Sequence, residues 1–172
     1  MERDELARRI SAVSQLSGSF RLRSGSIADT YFDKYLFESD PELLQAIAQL
    51  LLPLIPADTE ILAGLELGGI PVVTALSIAS GLPAVYVRKE AKEYGTAKLA
   101  EGPDIDGRQL LIVEDVVTTG GQIVLSASDL RGLGGLITTA VCVIDRQAGG
   151  TANLAEADVE LRSAFTRSDI ER

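Results

Sequence analysis

The chain has 172 residues and a mass of 18.3 kDa, which is the size of a single domain. It contains no histidine and one cysteine, which excludes a Ser-His-Asp triad, a Cys-His pair, an HExxH zinc site and an intrachain disulfide. The net charge of -9 argues against a nucleic-acid or acidic-membrane binder. The charged first residues and the lack of a long apolar run predict a cytoplasmic protein without a signal peptide or membrane span.

The first part of the chain is predicted to contain two helices separated by irregular structure and a strand. Apolar residues three and four positions apart predict a helix over residues 2–16. Glycines and serines predict turns and short strands over 18–26, and the aromatic-rich run 31–37 predicts a strand. Asp40 followed by Pro41 predicts the start of a helix that extends toward residue 52.

The rest of the chain alternates apolar strands with helices. Five apolar runs are predicted as strands: 61–65, 84–87, 109–113, 137–144 and 159–164. Helices are predicted at 71–80, which Gly81 ends, and at about 121–133. This alternation predicts an α/β fold with a parallel sheet covered on both faces. Ligands of such sheets bind outside the carboxyl ends of the strands, so the strand-to-helix turns are the candidate sites.

The strongest candidate is LLIVEDVVTTGG at residues 110–121. Its apolar strand runs directly into Glu114 and Asp115, two carboxylates that are costly to bury without a use. Thr118 to Gly121 then open a helix, where hydroxyls and free amides can surround a phosphate. The carboxylates suit the hydroxyls of a ribose or a cationic transition state. A surface turn with capping threonines is the alternative, and the complete run argues against it.

Positive charge is concentrated in RKEAKEYG, which begins at Arg88. Three of the four lysines fall within the eleven residues that start there, namely Lys89, Lys92 and Lys98. A net-acidic protein that binds a polyanion needs such a local concentration of positive charge. The stretch 93–107 is long, contains glycine and lacks periodicity, as expected of a mobile lid. A solvated charged loop is the alternative interpretation.

Two weaker patterns remain. GLELGGIP at 64–71 is a strand end followed by a glycine-rich turn, and taken alone it favours a structural turn over a binding loop. Arg146 follows an apolar strand, and a guanidinium can pair through two hydrogen bonds with a carboxylate ligand. A salt bridge with Asp145 is the alternative for Arg146. Cys142 lies within that same strand and is predicted to be a small core residue.

The run 110–121 resembles the 5-phosphoribosyl 1-pyrophosphate (PRPP) signature of the type I phosphoribosyltransferases, and RKEAK resembles the catalytic loop of the orotate phosphoribosyltransferases. GLELGG is similar to the pyrophosphate loop of the same family. The resemblance implies the type I phosphoribosyltransferase fold, with a central, mostly parallel sheet flanked by helices. It also implies a single domain over 1–172, a small N-terminal hood at about 18–38 and a flexible catalytic loop.

The resemblance further implies an enzyme of pyrimidine biosynthesis that converts orotate and PRPP to orotidine 5′-monophosphate and pyrophosphate. It implies Mg²⁺ bound with PRPP, without a protein ligand, and a homodimer with shared active sites. The implied catalytic residues are Lys92, Glu114 and Asp115. The implied PRPP-binding residues are Arg88, Lys89, Lys92, Glu114, Asp115, Val116, Val117, Thr118, Thr119, Gly120, Gly121, Leu67, Gly68 and Gly69. The implied orotate-binding residues are Arg23, Tyr31, Phe32, Thr118 and Arg146.

The chain departs from the family pattern at four positions. Gln122 replaces a small residue, Tyr94 replaces a common histidine, and Arg23 and Gly68 replace common lysines. Without a lysine at Gly68, the positive charge on the pyrophosphate is expected to come from the lid and Mg²⁺. Two alternative functions are a phosphoribosyltransferase for another base and a non-catalytic PRPP-sensing regulator. RKEAK and Arg146 argue against the first, and the regulator is expected to carry a DNA-binding domain or a basic RNA face.

Overall fold

The computed structural model describes residues 1–21, 25–90 and 98–171. Six strands form the central sheet: β3 (Ile61–Leu65), β4 (Ala84–Val87), β5 (Ala100–Glu101), β6 (Gln109–Val117), β7 (Leu136–Asp145) and β8 (Glu160–Thr166). Their order is β5-β4-β3-β6-β7-β8, and every neighbouring pair is parallel except β4 with β5. The predicted central, mostly parallel sheet is therefore confirmed, and β6 lies in its middle.

The described residues form seven α-helices, which lie on both faces of this sheet. They are α1 (Arg3–Ser14), α2 (Lys34–Glu38), α3 (Pro41–Leu51), α4 (Gly69–Ser80), α5 (Gly121–Gly132), α6 (Gly150–Glu156) and α7 (Arg167–Ile170). Leu111 and Val113 of β6 pack with α1, α3 and α4, whereas Leu110 and Ile112 pack with α5 and α6 on the opposite face. Cys142 is buried in the second of these cores, as predicted. None of the helices in the described ranges is long and apolar enough to span a bilayer.

The N-terminal hairpin is a separate two-stranded sheet made of β1 (Gln15–Arg21) and β2 (Ile27–Phe32). The strand predicted over 31–37 is wrong after Phe32, where the chain turns into α2. Asp33 is the reason, because its side chain accepts a hydrogen bond from the Tyr35 backbone N–H and caps this helix. The turn into α2 buries Glu38 and directs Lys34 toward the end of β6.

Besides α2, the short elements β5, α6 and α7 also escaped prediction. β5 has only two residues and lies inside the stretch 93–107, which was expected to be without regular structure. α6 begins after Gly149 without a side-chain cap, so its start carries no sequence signal. β6 also extends through Val117, four residues beyond its predicted end, so that Glu114 and Asp115 lie within the strand itself.

Candidate active site

The carboxyl end of β6 leads directly into the phosphate loop, residues 118–121, and then into α5. Nine residues of this segment line a cavity of about 280 Å³, called here the phosphate cavity. They are Glu114, Val116, Val117, Thr118, Thr119, Gly120, Gly121, Gln122 and Ile123. Gly120 has a φ of +75°, which glycine adopts without strain, and this turn leaves the first amides of α5 free for a ligand. The run predicted to surround a phosphate therefore forms a cavity.

α6 supports the phosphate loop from behind. The side-chain amide of Asn153 donates a 2.9 Å hydrogen bond to the carbonyl oxygen of Thr119. A Cβ atom at Gly150 would lie 2.7 Å from the carbonyl oxygen of Thr118, so only glycine permits this close approach. Asn153 was missed in the sequence because the helix that carries it has no clear signal.

Asp115 points away from the phosphate cavity into a group of ionisable side chains. Its Oδ2 lies 2.5 Å from the Nζ of Lys34, and the Asp115 side chain is completely buried. Glu38, at the end of α2, is also buried, with 4% of its surface exposed. Lys34, Glu38, Glu114 and Asp115 are called the carboxyl cluster below. Lys34 and Glu38 were not predicted as site residues, and the only signal was that Lys34 is the single lysine outside residues 88–98.

The three carboxyl groups of the carboxyl cluster differ in how easily they ionise. Burial, with a hydrogen bond to Asp115 and its negative charge, raises the pKa of Glu38 to about 9. Burial and the negative charge of Asp115 also raise the pKa of Glu114 well above its usual range. Burial opposes ionisation of Asp115, but hydrogen bonds from Glu38, Glu114 and Lys34 outweigh it and lower its pKa. Ionisation is thus favoured at Asp115, which pairs with Lys34, and opposed at Glu38 and Glu114, which reduces the repulsion between the neighbouring carboxylates.

The pyrophosphate loop, residues 67–69, lies between β3 and α4 and packs against β6. A Cβ atom at Gly69 would lie 2.5 Å from the carbonyl oxygen of Val113. A Cβ atom at Gly68 would lie 1.7 Å from Oδ2 of Asp115 and 3.0 Å from Nζ of Lys34. Leu67, by contrast, is 64% exposed and follows a cis peptide bond after Glu66. The two glycines therefore bring this loop into direct contact with the carboxyl cluster.

The base of the predicted lid begins at the end of β4. The backbone N–H of Lys89 donates a 2.6 Å hydrogen bond to Oε1 of Glu66, which ties Lys89 to the pyrophosphate loop. The guanidinium of Arg88 lies 3.5 Å from Glu101 in β5. The side chains of Lys89 and Lys98 line a separate cavity of about 780 Å³ beside α5, called the lid-side cavity. Lys92 and Tyr94 lie outside the described residues.

The predicted orotate-binding residues meet in part between the hood and β7. Tyr31, Phe32 and Arg146 line a cavity of about 210 Å³, called the hood cavity. The guanidinium carbon of Arg146 lies 5.8 Å from the centre of the Phe32 ring. The Arg146 backbone N–H donates a 2.8 Å hydrogen bond to the carbonyl oxygen of Val117, so the hood cavity adjoins the phosphate cavity. Thr118 lines the phosphate cavity instead, and Arg23 lies outside the described residues.

The alternative interpretation of Arg146, a salt bridge with Asp145, does not match the geometry. The Asp145 carboxylate accepts hydrogen bonds from the Gln147 backbone N–H at 2.8 Å and from the Thr151 hydroxyl at 3.3 Å. Arg146 extends over Phe32 instead. Its guanidinium is therefore available to a ligand in the hood cavity.

Comparison with known proteins identifies the family. Residues 37–162 match the phosphoribosyl transferase domain. Over 166 residues the chain is 49% identical to an orotate phosphoribosyltransferase of Nocardioides sp., an alignment that covers 96% of this chain and 93% of the relative. The chain belongs to the orotate phosphoribosyltransferase family.

Solved structures of this family support the same assignment. The orotate phosphoribosyltransferase of Mycobacterium tuberculosis in complex with Fe(III) dicitrate superposes with a TM-score of 0.89 at 32% identity, covering 99% of each chain. The same enzyme in complex with PRPP superposes with a TM-score of 0.84 at 28% identity, again covering 99% of each chain. The predicted family and the type I phosphoribosyltransferase fold are both confirmed.

Proposed function

We propose that this chain transfers the 5-phosphoribosyl group of PRPP to N1 of orotate and releases pyrophosphate. The observation that carries the proposal is the convergence of three parts at the carboxyl end of β6. These are the phosphate loop, the carboxyl cluster, and the hood cavity with Arg146 at its wall. Together they offer an anion site, a ribose site and a carboxylate-binding site in one continuous region.

In this proposal the sheet positions PRPP. The 5-phosphate binds the hydroxyls and free amides of residues 118–121, at the positive end of α5. Glu114 and Asp115 hold the ribose hydroxyls, because a strand end next to the phosphate loop is where the sugar must lie. The pyrophosphate binds the backbone of residues 67–69, together with Arg88 and Lys89. The protein thereby fixes the C1 atom of the ribose relative to the hood cavity.

The chemical step in this proposal replaces one bond at C1 of the ribose. The C1–O bond to pyrophosphate breaks and its electron pair leaves with the pyrophosphate, while N1 of orotate forms the new C1–N bond and its proton passes to the departing pyrophosphate. The transition state is cationic at the sugar, so a charged Asp115 nearby favours it electrostatically. Lys92, on the predicted lid, neutralises the leaving group, and closure of the lid excludes water.

Mg²⁺ enters this proposal with the substrate. Within the described ranges no three His, Cys, Asp or Glu side chains are grouped so as to hold a metal ion. Mg²⁺ bound to substrate phosphates keeps several waters and needs one or two protein carboxylates at most. An ion that arrives on PRPP therefore does not need a group of three protein ligands. The ion supplies positive charge to the leaving pyrophosphate, and residues 67–69 hold the group that carries it.

The experiment that tests the function is a pyrophosphate-release assay with PRPP, Mg²⁺ and one of four bases. Release with orotate, and none with uracil, hypoxanthine or adenine, is the expected result. Release with another base alone would support a different phosphoribosyltransferase, and PRPP binding without release would support a PRPP-sensing regulator.

Arg146→Ala should raise the KM for orotate far more than the KM for PRPP, since it deletes one partner of a charge-assisted pair.

We further propose a homodimer with shared active sites in the cytoplasm. An exposed apolar surface next to the pyrophosphate loop supports the dimer: Leu67 is 64% exposed, Ile78 on α4 is 81% exposed and Tyr86 on β4 is 40% exposed. The Tyr86 hydroxyl lies 3.4 Å from that of Thr74, one turn before Ile78, so β4 and α4 share this surface. A two-fold axis here would bring the lid of one subunit near the site of the other.

Mixing two inactive variants, Lys92→Ala and Asp115→Asn, tests the shared site. After subunit exchange, half of the dimers are mixed, and each mixed dimer has one complete site. Activity should then recover to about a quarter of the wild-type value. A mixture that stays inactive, although native mass spectrometry shows mixed dimers, would contradict sharing.

A further inference from the structure

Lys34 brings a positive charge to the pyrophosphate loop from a distant part of the chain. This loop has no basic residue of its own, since residues 67–69 are Leu-Gly-Gly. Lys34 lies at the start of α2, where the Asp33 cap fixes the first turn of the helix. Its Nζ lies 2.5 Å from Asp115 and 3.0 Å from the position that a Cβ atom of Gly68 would take. The hood therefore delivers an ammonium group to the junction of the loop and β6.

The ammonium group of Lys34 is charged and can still reach a ligand. Burial opposes its ionisation, but the hydrogen bond and attraction of Asp115 outweigh burial and raise its pKa. One third of its side chain remains exposed, whereas Asp115 is completely buried. An ammonium has three donors, so the contact with Asp115 leaves donors for a second acceptor on the exposed side.

The lack of space for a side chain at position 68 explains why a positive charge beside the pyrophosphate loop comes from Lys34. A side chain at position 68 would collide with Asp115, whose Oδ2 would lie 1.7 Å from its Cβ atom. Lys34 therefore offers positive charge beside this loop in addition to that expected from the lid and Mg²⁺. Glu38, Glu114 and Tyr35 are the other titratable groups beside Lys34. The pKa of Glu38 is raised to about 9, and burial and the charge of Asp115 also raise the pKa of Glu114, so ionisation of both carboxyls is opposed. Lys34 and Asp115 then form a neutral pair that a polyanion can approach without repulsion.

We propose that Lys34 binds the pyrophosphate group of PRPP while it stays paired with Asp115, and so links the leaving group to the ribose-binding carboxylate. This inference rests on the proposed function, because it takes PRPP as the ligand of the site. The competing possibility is that Lys34 only neutralises and positions Asp115. The two possibilities differ in which part of PRPP loses affinity when Lys34 is replaced.

The test is calorimetric titration of three ligands, PRPP, pyrophosphate and ribose 5-phosphate, each with Mg²⁺. Lys34→Met should weaken the binding of PRPP and pyrophosphate roughly 10- to 100-fold, the range of a lost charge-assisted hydrogen bond, and leave ribose 5-phosphate within about two-fold. Lys34→Arg should restore most of the pyrophosphate affinity, because it keeps the charge. Arg9→Met is the matched control, because it removes one positive charge and the exposed ion pair with Glu42.

The titrations of the Lys34 variants test the inference, whereas PRPP binding by the wild-type chain tests the proposed function. Unchanged pyrophosphate affinity in Lys34→Met, or an equal loss for ribose 5-phosphate and PRPP, would overturn the inference and assign Lys34 a positioning role only. A wild-type chain that does not bind PRPP at all would overturn the proposed function itself. Should Lys34→Met fail to fold, Lys34→Gln and the charge-preserving Lys34→Arg would be compared in the same titrations. A pyrophosphate affinity equal in both would again overturn the inference.

Discussion

The phosphate loop and the carboxyl cluster lie at the same end of β6, but they are built in different ways. The phosphate loop is one continuous segment whose shape comes from backbone conformation and from the support of α6. The carboxyl cluster consists of side chains from β6 and α2, and its charge depends on mutual burial and hydrogen bonds. Changes to the phosphate loop should therefore alter the affinity for PRPP to the same extent at every pH. Changes to the carboxyl cluster should alter kcat and the pH dependence of activity and stability.

The largest effect on kcat is expected from Asp115, the carboxylate of the carboxyl cluster whose ionisation is favoured. Asp115→Asn keeps the shape of the side chain but deletes the negative charge beside the cationic sugar. We expect kcat for orotidine 5′-monophosphate formation to fall about 100-fold or more, as for other groups that stabilise transition-state charge. Asp129→Asn, an exposed position on α5, is the control and should leave kcat unchanged. An Asp115→Asn enzyme that keeps more than half of its kcat would contradict the role of this charge.

A smaller effect is expected from straining the phosphate loop. Gly120→Ala and Gly81→Ala place alanine at nearly the same left-handed φ, +75° and +77° respectively. Both should lose about 1–2 kcal/mol of unfolding free energy, the cost of this conformation for a residue with a Cβ atom. Gly120→Ala should lose more than Gly81→Ala, because its Cβ atom would lie 3.1 Å from Cγ of Leu154, whereas nothing lies within 4 Å at Gly81. Only Gly120→Ala should also raise the KM for PRPP, roughly ten-fold, because it displaces the amides that face the phosphate. Equal KM values in the two variants would show that the loop does not bind PRPP.

A third effect is a change in the pH dependence of stability. The folded chain holds the proton of Glu38 up to a pKa of about 9, against an ordinary value of 4.5. The stability from this group is therefore complete at low pH and is lost as the pH rises toward 9. Glu38→Gln has no proton to lose, so its melting temperature should fall less between pH 5 and pH 9 than that of the wild type.

Glu42→Gln is the matched control for this measurement. Glu42 is exposed, and the hydrogen bond and charge of Arg9 lower its pKa, so its contribution is lost only at acidic pH. Its melting profile should run parallel to the wild-type profile between pH 5 and pH 9. A Glu38→Gln profile that is equally parallel would mean that Glu38 is ionised in the folded chain.

The same contrast explains what could be predicted from the sequence. Residues 110–121 could be predicted as a site because strand, carboxylates, threonines and glycines are contiguous, and much of this run lines one cavity. The carboxyl cluster could not, because Lys34 comes from a segment predicted to be a strand and Glu38 directly follows that segment. In a strand these two residues would share a face but lie about 13 Å apart, whereas in a helix residues i and i+4 are neighbours about 5–6 Å apart. One capping residue, Asp33, turns this segment into a helix and brings both side chains to the site.

The hood and the base of the lid also contain features that local sequence patterns do not predict. Phe32 and Arg146 could be paired only through resemblance, since the sequence separates them widely, and the fold brings them to one cavity. The short strand β5 depends on pairing with β4, where Tyr86 lies opposite Glu101, and such a tertiary contact leaves no local signal.

A crystal structure of this chain with PRPP and Mg²⁺ tests the account most directly. We expect the 5-phosphate to accept hydrogen bonds from the backbone N–H groups of residues 118–121, with the ribose hydroxyls at Glu114 and Asp115. PRPP bound instead in the lid-side cavity, between Lys89, Lys98 and α5, would contradict a phosphoribosyl transfer site at the end of β6.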